Sequence, residues 1–177
     1  MYRRSTRFVI IFTVLLLLGA CANSSLHSAP RPTLNPASPW TVLPFTNNTT
    51  TPYAGARAQY LTVGLLGSLG ANTGELPPPA TQASPLALTQ NAQSITAGIA
   101  WARTQRIRYA LTGSVDEWRY KIGLSGVPAV GLTLRLIDVP SGKTLWTATG
   151  SATGESDEGL AVLAQRTLEK LLRRLIH

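Results

Sequence analysis

From Trp40 onward, the spacing of apolar and polar residues predicts an ordered set of elements. Trp40-Thr-Val-Leu-Pro-Phe45 reads as a short strand, with Pro44 marking its edge or end. Asn47 to Pro52 is a polar turn. Ala54, Ala58, Leu61, Leu65, Leu66 and Leu69 then recur at helical spacing, predicting a helix over Pro52–Leu69 with Pro52 in its first turn. Gly70 to Pro85 is a Gly- and Pro-rich loop with room for a short strand near Gly74–Pro77. A second helix is predicted over Leu88–Thr104, on the stripe Ala92, Ile95, Ile99 and Ala102. Strands follow at Tyr109–Lys121, Val130–Asp138 and Thr144–Thr153, the last two joined by the tight turn Pro140-Ser-Gly-Lys143. A Leu-rich stripe predicts a last helix over Asp157–Ile176. Glu155, Asp157 and Glu158 lie at its start and Lys170, Arg173 and Arg174 near its end, as the helix dipole favours. The order β-α-(β)-α-β-β-β-α predicts an α+β two-layer domain, a mostly antiparallel sheet with about three helices on one face.

Upstream of Trp40 the pattern changes twice. Arg3, Arg4 and Arg7 precede an apolar run from Phe8 to Leu18, interrupted only by Thr13. This is shorter than the roughly 20 residues of a membrane span and has the layout of a secretory signal. It ends in Leu18-Gly-Ala-Cys21, which resembles a bacterial lipobox and contains the only Cys of the chain. Residues 1–20 are thus read as a lipoprotein signal peptide and Cys21 as the lipidated N-terminus. Among bacterial lipoproteins Asp after that Cys marks inner-membrane retention, so Ala22 implies the outer membrane. Residues 21–39 carry Pro30, Pro32, Pro36 and Pro39 and read as an extended tether reaching roughly 55 Å, ahead of one periplasmic domain over 40–177.

Composition narrows the chemistry. The 177-residue chain is formally +8, with 16 Lys and Arg against 8 Asp and Glu. Loss of the signal leaves 13 basic against 8 acidic residues, so part of the basic excess belongs to the signal, and no nucleic-acid partner is expected. One Cys excludes an internal disulfide or a CxxC site. The two histidines, His27 and His177, lie near the ends, leaving none for a nucleophilic triad within the domain. No GxSxG elbow, P-loop or HExxH motif is present, so no catalytic residue, metal site or cofactor is assigned.

Other residues invite two readings each. Asp116 and Glu117 adjoin on one strand, where regular alternation sends them to opposite faces. They are either a solvated pair or the acidic lining of a pore. Trp118 shares a face with Asp116. If Leu145 points toward the helices, Trp146 points away and covers an open sheet face or meets a membrane interface. Arg103, Arg106 and Arg108 either complement the end of the second helix or contact a neighbouring subunit or lipid. Gly64, Gly67, Ser68 and Gly98 suit close helix packing, on the sheet or on a second copy.

Several segments resemble the PelC family of outer-membrane lipoproteins of Pel exopolysaccharide export. They are the lipobox, the Pro-rich tether, Trp40-Thr-Val-Leu-Pro-Phe45-Thr-Asn-Asn48, Thr51-Pro-Tyr-Ala-Gly-Ala-Arg57, Leu111-Thr-Gly-Ser-Val-Asp-Glu-Trp-Arg-Tyr-Lys121, the Asp138–Trp146 hairpin and the final helix. The resemblance covers about residues 40–176. It implies a non-enzymatic ring of about a dozen copies on the periplasmic side of the outer membrane, beneath or around the β-barrel porin PelB. Aromatic residues would seat it in outer-membrane lipid, and an acidic funnel would guide the cationic Pel polysaccharide. By position Trp146, then Trp118, are the membrane-facing aromatics, and Asp116 and Glu117 line the funnel. Two other classes stay open: a monomeric tethered lipoprotein that activates a cell-wall synthase, and an enzyme acting on envelope glycan through paired carboxylates.

Overall fold

The computed structural model describes residues 24–78, 87–121 and 126–177, with backbone only for 87–93. The signal, Cys21 and much of the Gly- and Pro-rich loop lie outside the described residues. The elements are β1 (Ser24–Ser28), β2 (Trp40–Asn47), α1 (Ala54–Ser68), α2 (Ala87–Thr104), β3 (Tyr109–Tyr120), β4 (Pro128–Asp138), β5 (Lys143–Thr153) and α3 (Leu160–Ile176). They build one five-stranded sheet in the order β1-β5-β4-β3-β2. All neighbours are antiparallel except β2 and β3. The class is α+β, as the apolar pattern predicted.

The main core lies between one sheet face and helices α1 and α3. Val42, Phe45, Leu111, Leu132, Leu134 and Leu136 meet Ala58 and Leu66 of α1 and Leu163, Leu168, Leu171, Leu172 and Leu175 of α3. The apolar stripe that predicted α3, namely Leu160, Leu163, Ala164, Leu168, Leu171, Leu172 and Leu175, is the face it buries, Leu160 excepted, and it continues through Thr167. Helix α2 takes a different position. It packs through Ala102, Ile99 and Ile95 on Leu43, Ala110 and Ile137, whose strand neighbours Val42, Leu111 and Leu136 all face the main core. By strand alternation α2 therefore covers part of the opposite face, a refinement of the single-faced arrangement.

Three further differences concern the N-terminal segment, the stretch near Thr73 and α3. Residues 22–39 do not form a free tether throughout, because β1 adds to the outer edge of β5, with Ser24 opposite Ala152 and Ser28 opposite Ala148. Its inward residue Leu26 fills the space left by Gly150, against Leu171. The segment then follows the fold, with Leu34 packed on the core. Near Thr73 only an isolated bridge to Trp40 forms, in place of a short strand. Helix α3 begins three residues later than predicted. No acid lies in its first turn and no side chain caps it. Glu158 instead reaches Arg166, 3.0 Å away.

Candidate functional site

Strand ends define the molecule's geography. β3 and β5 finish at the end where β4, α1 and α3 begin. The loop before α1 closes on this end, where the Thr51 hydroxyl donates to the Trp118 carbonyl. The opposite end holds the β4–β5 turn, the end of α2 and the start of β3. Tyr109 and Trp118 are nine residues apart on β3, so the ends are separated by about 30 Å.

At the first end β3 carries a bulge. Val115 pairs with Leu132 and Glu117 with Gly131, leaving Asp116 as the extra residue. This overturns the opposite-face expectation for the two carboxylates. Asp116 accepts from Thr133 at 3.2 Å, and Glu117 stands over Gly131, where a Cβ would come within 3.3 Å of its own. Residues 131 and 133 share a face, so both acids project from the sheet face opposite α1 and α3. The bulge changes the parity that a single-strand reading assumes. Gly131, a bare position facing the bulge, is the available sequence signal, and it is weak without knowledge of the pairing.

Asp116 is held by short polar groups. Asn48 Nδ2 donates at 2.8 Å and Ser114 Oγ stands 3.1 Å from each carboxylate oxygen. Glu117 pairs with Arg119 at 2.9 Å, a contact mostly exposed on the Arg side. Asp116 makes no ion pair among the described residues. Beside the two acids is an open hollow of about 380 Å³ lined by Thr49, Thr50, Thr51 and Arg119. Across the sheet runs a row of hydroxyls, Ser114 opposite Thr133 and Thr133 opposite Thr149. This surface suits a hydroxylated, cationic ligand: carboxylates for ammonium groups and hydroxyls for sugar hydroxyls. Among the described residues no three His, Cys, Asp or Glu side chains converge to hold a metal ion.

Charge is distributed unevenly along the molecule. Asp116, Glu117, Glu155, Asp157 and Glu158, five of the eight acids, lie at the bulged end together with Arg119, Lys121 and Arg166. Arg103, Arg106, Arg108 and Lys143 lie at the other. There Arg103 donates to the Val139 carbonyl at 3.0 Å, and Arg108 pairs with Asp138 at 2.8 Å. The Ser141 hydroxyl and backbone N–H, together with Arg108, hold the Asp138 carboxyl below its usual range against the effect of burial. These groups tie α2 and β3 to the β4–β5 turn. Only Arg103 is in the last turn of α2; Arg106 takes a left-handed conformation just beyond it.

The two tryptophans do not face outward. Trp146 is 1% and Trp118 2% exposed, both within the main core. A bulge again explains the difference. Ile137 pairs with Thr144 but Leu136 with Trp146, so Leu145 is the extra residue and Trp146 turns inward. Its Nε1 donates to the Ala29 carbonyl at 3.1 Å, joining the sheet to the segment after β1. Both rings are therefore core residues and not membrane-facing ones. Trp40 is in the core, with its ring 5.1 Å from that of Tyr109.

No family model and no curated protein matches the chain. Solved structures do. Lipoprotein GNA1162 from Neisseria meningitidis is 20% identical over 77% of this chain and 99% of its own, with a TM-score of 0.53, which shows a shared fold. PelC from Paraburkholderia phytofirmans, solved as a dodecamer, is 33% identical over 86% of this chain and 97% of its own, with a TM-score of 0.73. A point variant of that PelC, also a dodecamer, matches equally well. With a third of its residues shared over nearly the whole domain and the same sheet beneath them, the chain belongs to the PelC family.

Proposed function

We propose that this protein is a non-enzymatic outer-membrane lipoprotein that assembles into a ring of about a dozen copies. In that ring it guides a cationic exopolysaccharide of the Pel type through the periplasm to a barrel porin of the PelB kind. The observation that carries the reading is the match to PelC dodecamers. A ring needs a heterologous interface that closes on itself, and one chain supplies both of its surfaces. Cys21 is the lipid-bearing residue. Asp116 and Glu117, brought to one face by the bulge, are the polymer-guiding acids. The net charge of the mature chain does not oppose this role, because local potential depends on where charges sit, and the acids gather at the bulged end. Arg106, which makes no ion pair among the described residues, is available to a neighbouring subunit, while Arg103 and Arg108 are engaged within the chain.

The docking of β1 favours this reading over the tethered synthase activator. Two residues separate Cys21 from Ser24, a reach of at most about 10 Å rather than the roughly 55 Å of a free tether. A domain held that close to its anchor does not extend far into the cell wall. The test is retention of the purified protein on immobilised β-linked amino-sugar oligomers of graded acetylation. Retention should be strong on the deacetylated oligomer, fall as acetylation rises and fall with added salt. Equal retention on the fully acetylated oligomer would reject charge-based guidance.

A further inference from the structure

We propose that Arg135 is a release element for the polymer: its guanidinium, beside Asp116 on the open sheet face, repels a bound ammonium group and keeps each subunit's hold on the cationic chain weak. This rests on the reading of Asp116 and Glu117 as polymer-guiding acids. Arg135 is the one exposed residue of β4, with Thr112 opposite it on β3 and Thr147 opposite it on β5. Thr133, two residues along the same face, donates to the Asp116 carboxylate at 3.2 Å, so Arg135 is rooted about 7 Å along the strand from that contact. Asn48, Ser114 and Thr133, the three side chains that hold Asp116, also line a hollow of about 280 Å³ that Arg135 shares. Yet neither charge cancels the other. No ion pair joins them, and Arg135 makes none with any other acid among the described residues. Asp116 is satisfied by neutral donors, which hold the carboxylate without neutralising it.

Distance decides which cation matters. At physiological salt, charge interactions decay over about 8 Å, and Arg135 stands within that reach of Asp116. Arg103, Arg106 and Arg108 precede Tyr109, which is seven residues from Asp116 along β3, about 23 Å, so salt screens them. Arg119 is nearer but is paired with Glu117 at 2.9 Å. Lys121 lies five residues from Asp116, about 16 Å, and donates to Thr153 at 3.0 Å. A ring makes a weak hold necessary. In an assembly like the PelC dodecamer a polymer meets the same acids on every copy, and simultaneous contacts multiply into slow release even when each is weak. Passage requires binding favourable enough to enter and weak enough to leave. An ammonium seated on Asp116 feels the Arg135 charge at close range, whereas at encounter distance that charge is screened. The effect therefore falls mainly on dissociation.

The experiment follows binding of the purified full-length protein to sparsely immobilised, fully deacetylated β-linked amino-sugar oligomers by surface plasmon resonance at physiological salt. Arg135→Gln should slow dissociation about threefold to tenfold, the range for two like charges about 7 Å apart near a protein surface, and raise the association rate less. Arg135→Lys, which keeps the charge, should dissociate as the parent does. Thr147→Lys, which adds a second cation at the exposed position opposite Arg135, should dissociate faster, and it remains informative if Arg135→Gln folds poorly. In 1 M salt, where the screening length is about 3 Å, the Arg135→Gln effect should shrink below about twofold. Dissociation that is unchanged or faster in Arg135→Gln, with binding still lost on Asp116→Asn with Glu117→Gln, would overturn the release role and leave guidance by the two acids standing. Binding that survives removal of both acids would overturn guidance and the release role together.

Discussion

Replacing Trp146 by Ala is expected to destabilise the domain by about 3–5 kcal/mol, the range for removing a large aromatic from a packed core. The ring is 1% exposed and stands in the main cluster with Leu136 opposite it on β4. Its loss also strips the Ala29 carbonyl of its donor, and β1 with it loses a tie to the sheet. For a domain of this size the change corresponds to a drop in Tm of roughly 10 °C. Trp146→Phe, which retains most of the volume but not the N–H, should cost less than half as much. Thermal unfolding followed by circular dichroism at fixed protein concentration measures both. A tryptophan seated in lipid would behave differently: the Ala variant would keep the parent Tm and lose only membrane contact. An unchanged Tm would therefore refute the inward position that the Leu145 bulge dictates.

Removing both carboxylates at the other bulge is expected to spare the fold and impair export. Asp116→Asn with Glu117→Gln keeps size and hydrogen-bonding capacity, and both residues sit on an open face, so Tm should stay within about 2 °C. A single exposed carboxylate–ammonium contact contributes only about 0.2–1 kcal/mol. A polymer crossing a ring meets the same pair on every subunit, however, and two or three simultaneous contacts reach about 1.4 kcal/mol, a factor of ten. Extracellular polymer should therefore fall about tenfold in cells that carry equal amounts of membrane-bound variant. Glu169→Gln, which removes an acid paired with Arg173 on α3, should leave export unchanged. Full export by the double variant would remove Asp116 and Glu117 from the guiding role.

These two residue sets also mark where sequence reading succeeds and where it stops. Helix α3 is legible because its Leu stripe repeats with the helical period and all of that stripe except Leu160 is buried. The β4–β5 hairpin is legible because Leu132, Leu134 and Leu136 alternate with Thr133 and Arg135 around a Pro-Ser-Gly turn. Regular strand alternation sends the side chains of Asp116–Glu117 and of Trp146 to the wrong faces for one reason. A bulge belongs to a pair of strands, and neither strand's own alternation records it. β1 carries no strand signal because Ser24-Ser-Leu-His-Ser28 has a single apolar residue. It is held by edge pairing and by the bare Gly150, a fit visible only once β5 is in place. The position of α2 was hidden because Leu43 and Ala110 sit in strands apolar on both faces, which say that both sides are covered without saying by what.

The central claim is that this chain works as a closed ring, and its mass in solution tests that most directly. Light scattering after size exclusion on residues 22–177, repeated on the lipidated protein in bilayer discs, should give one discrete particle of about twelve copies, as for the PelC relative. A monomer over a wide concentration range in both preparations would contradict the account.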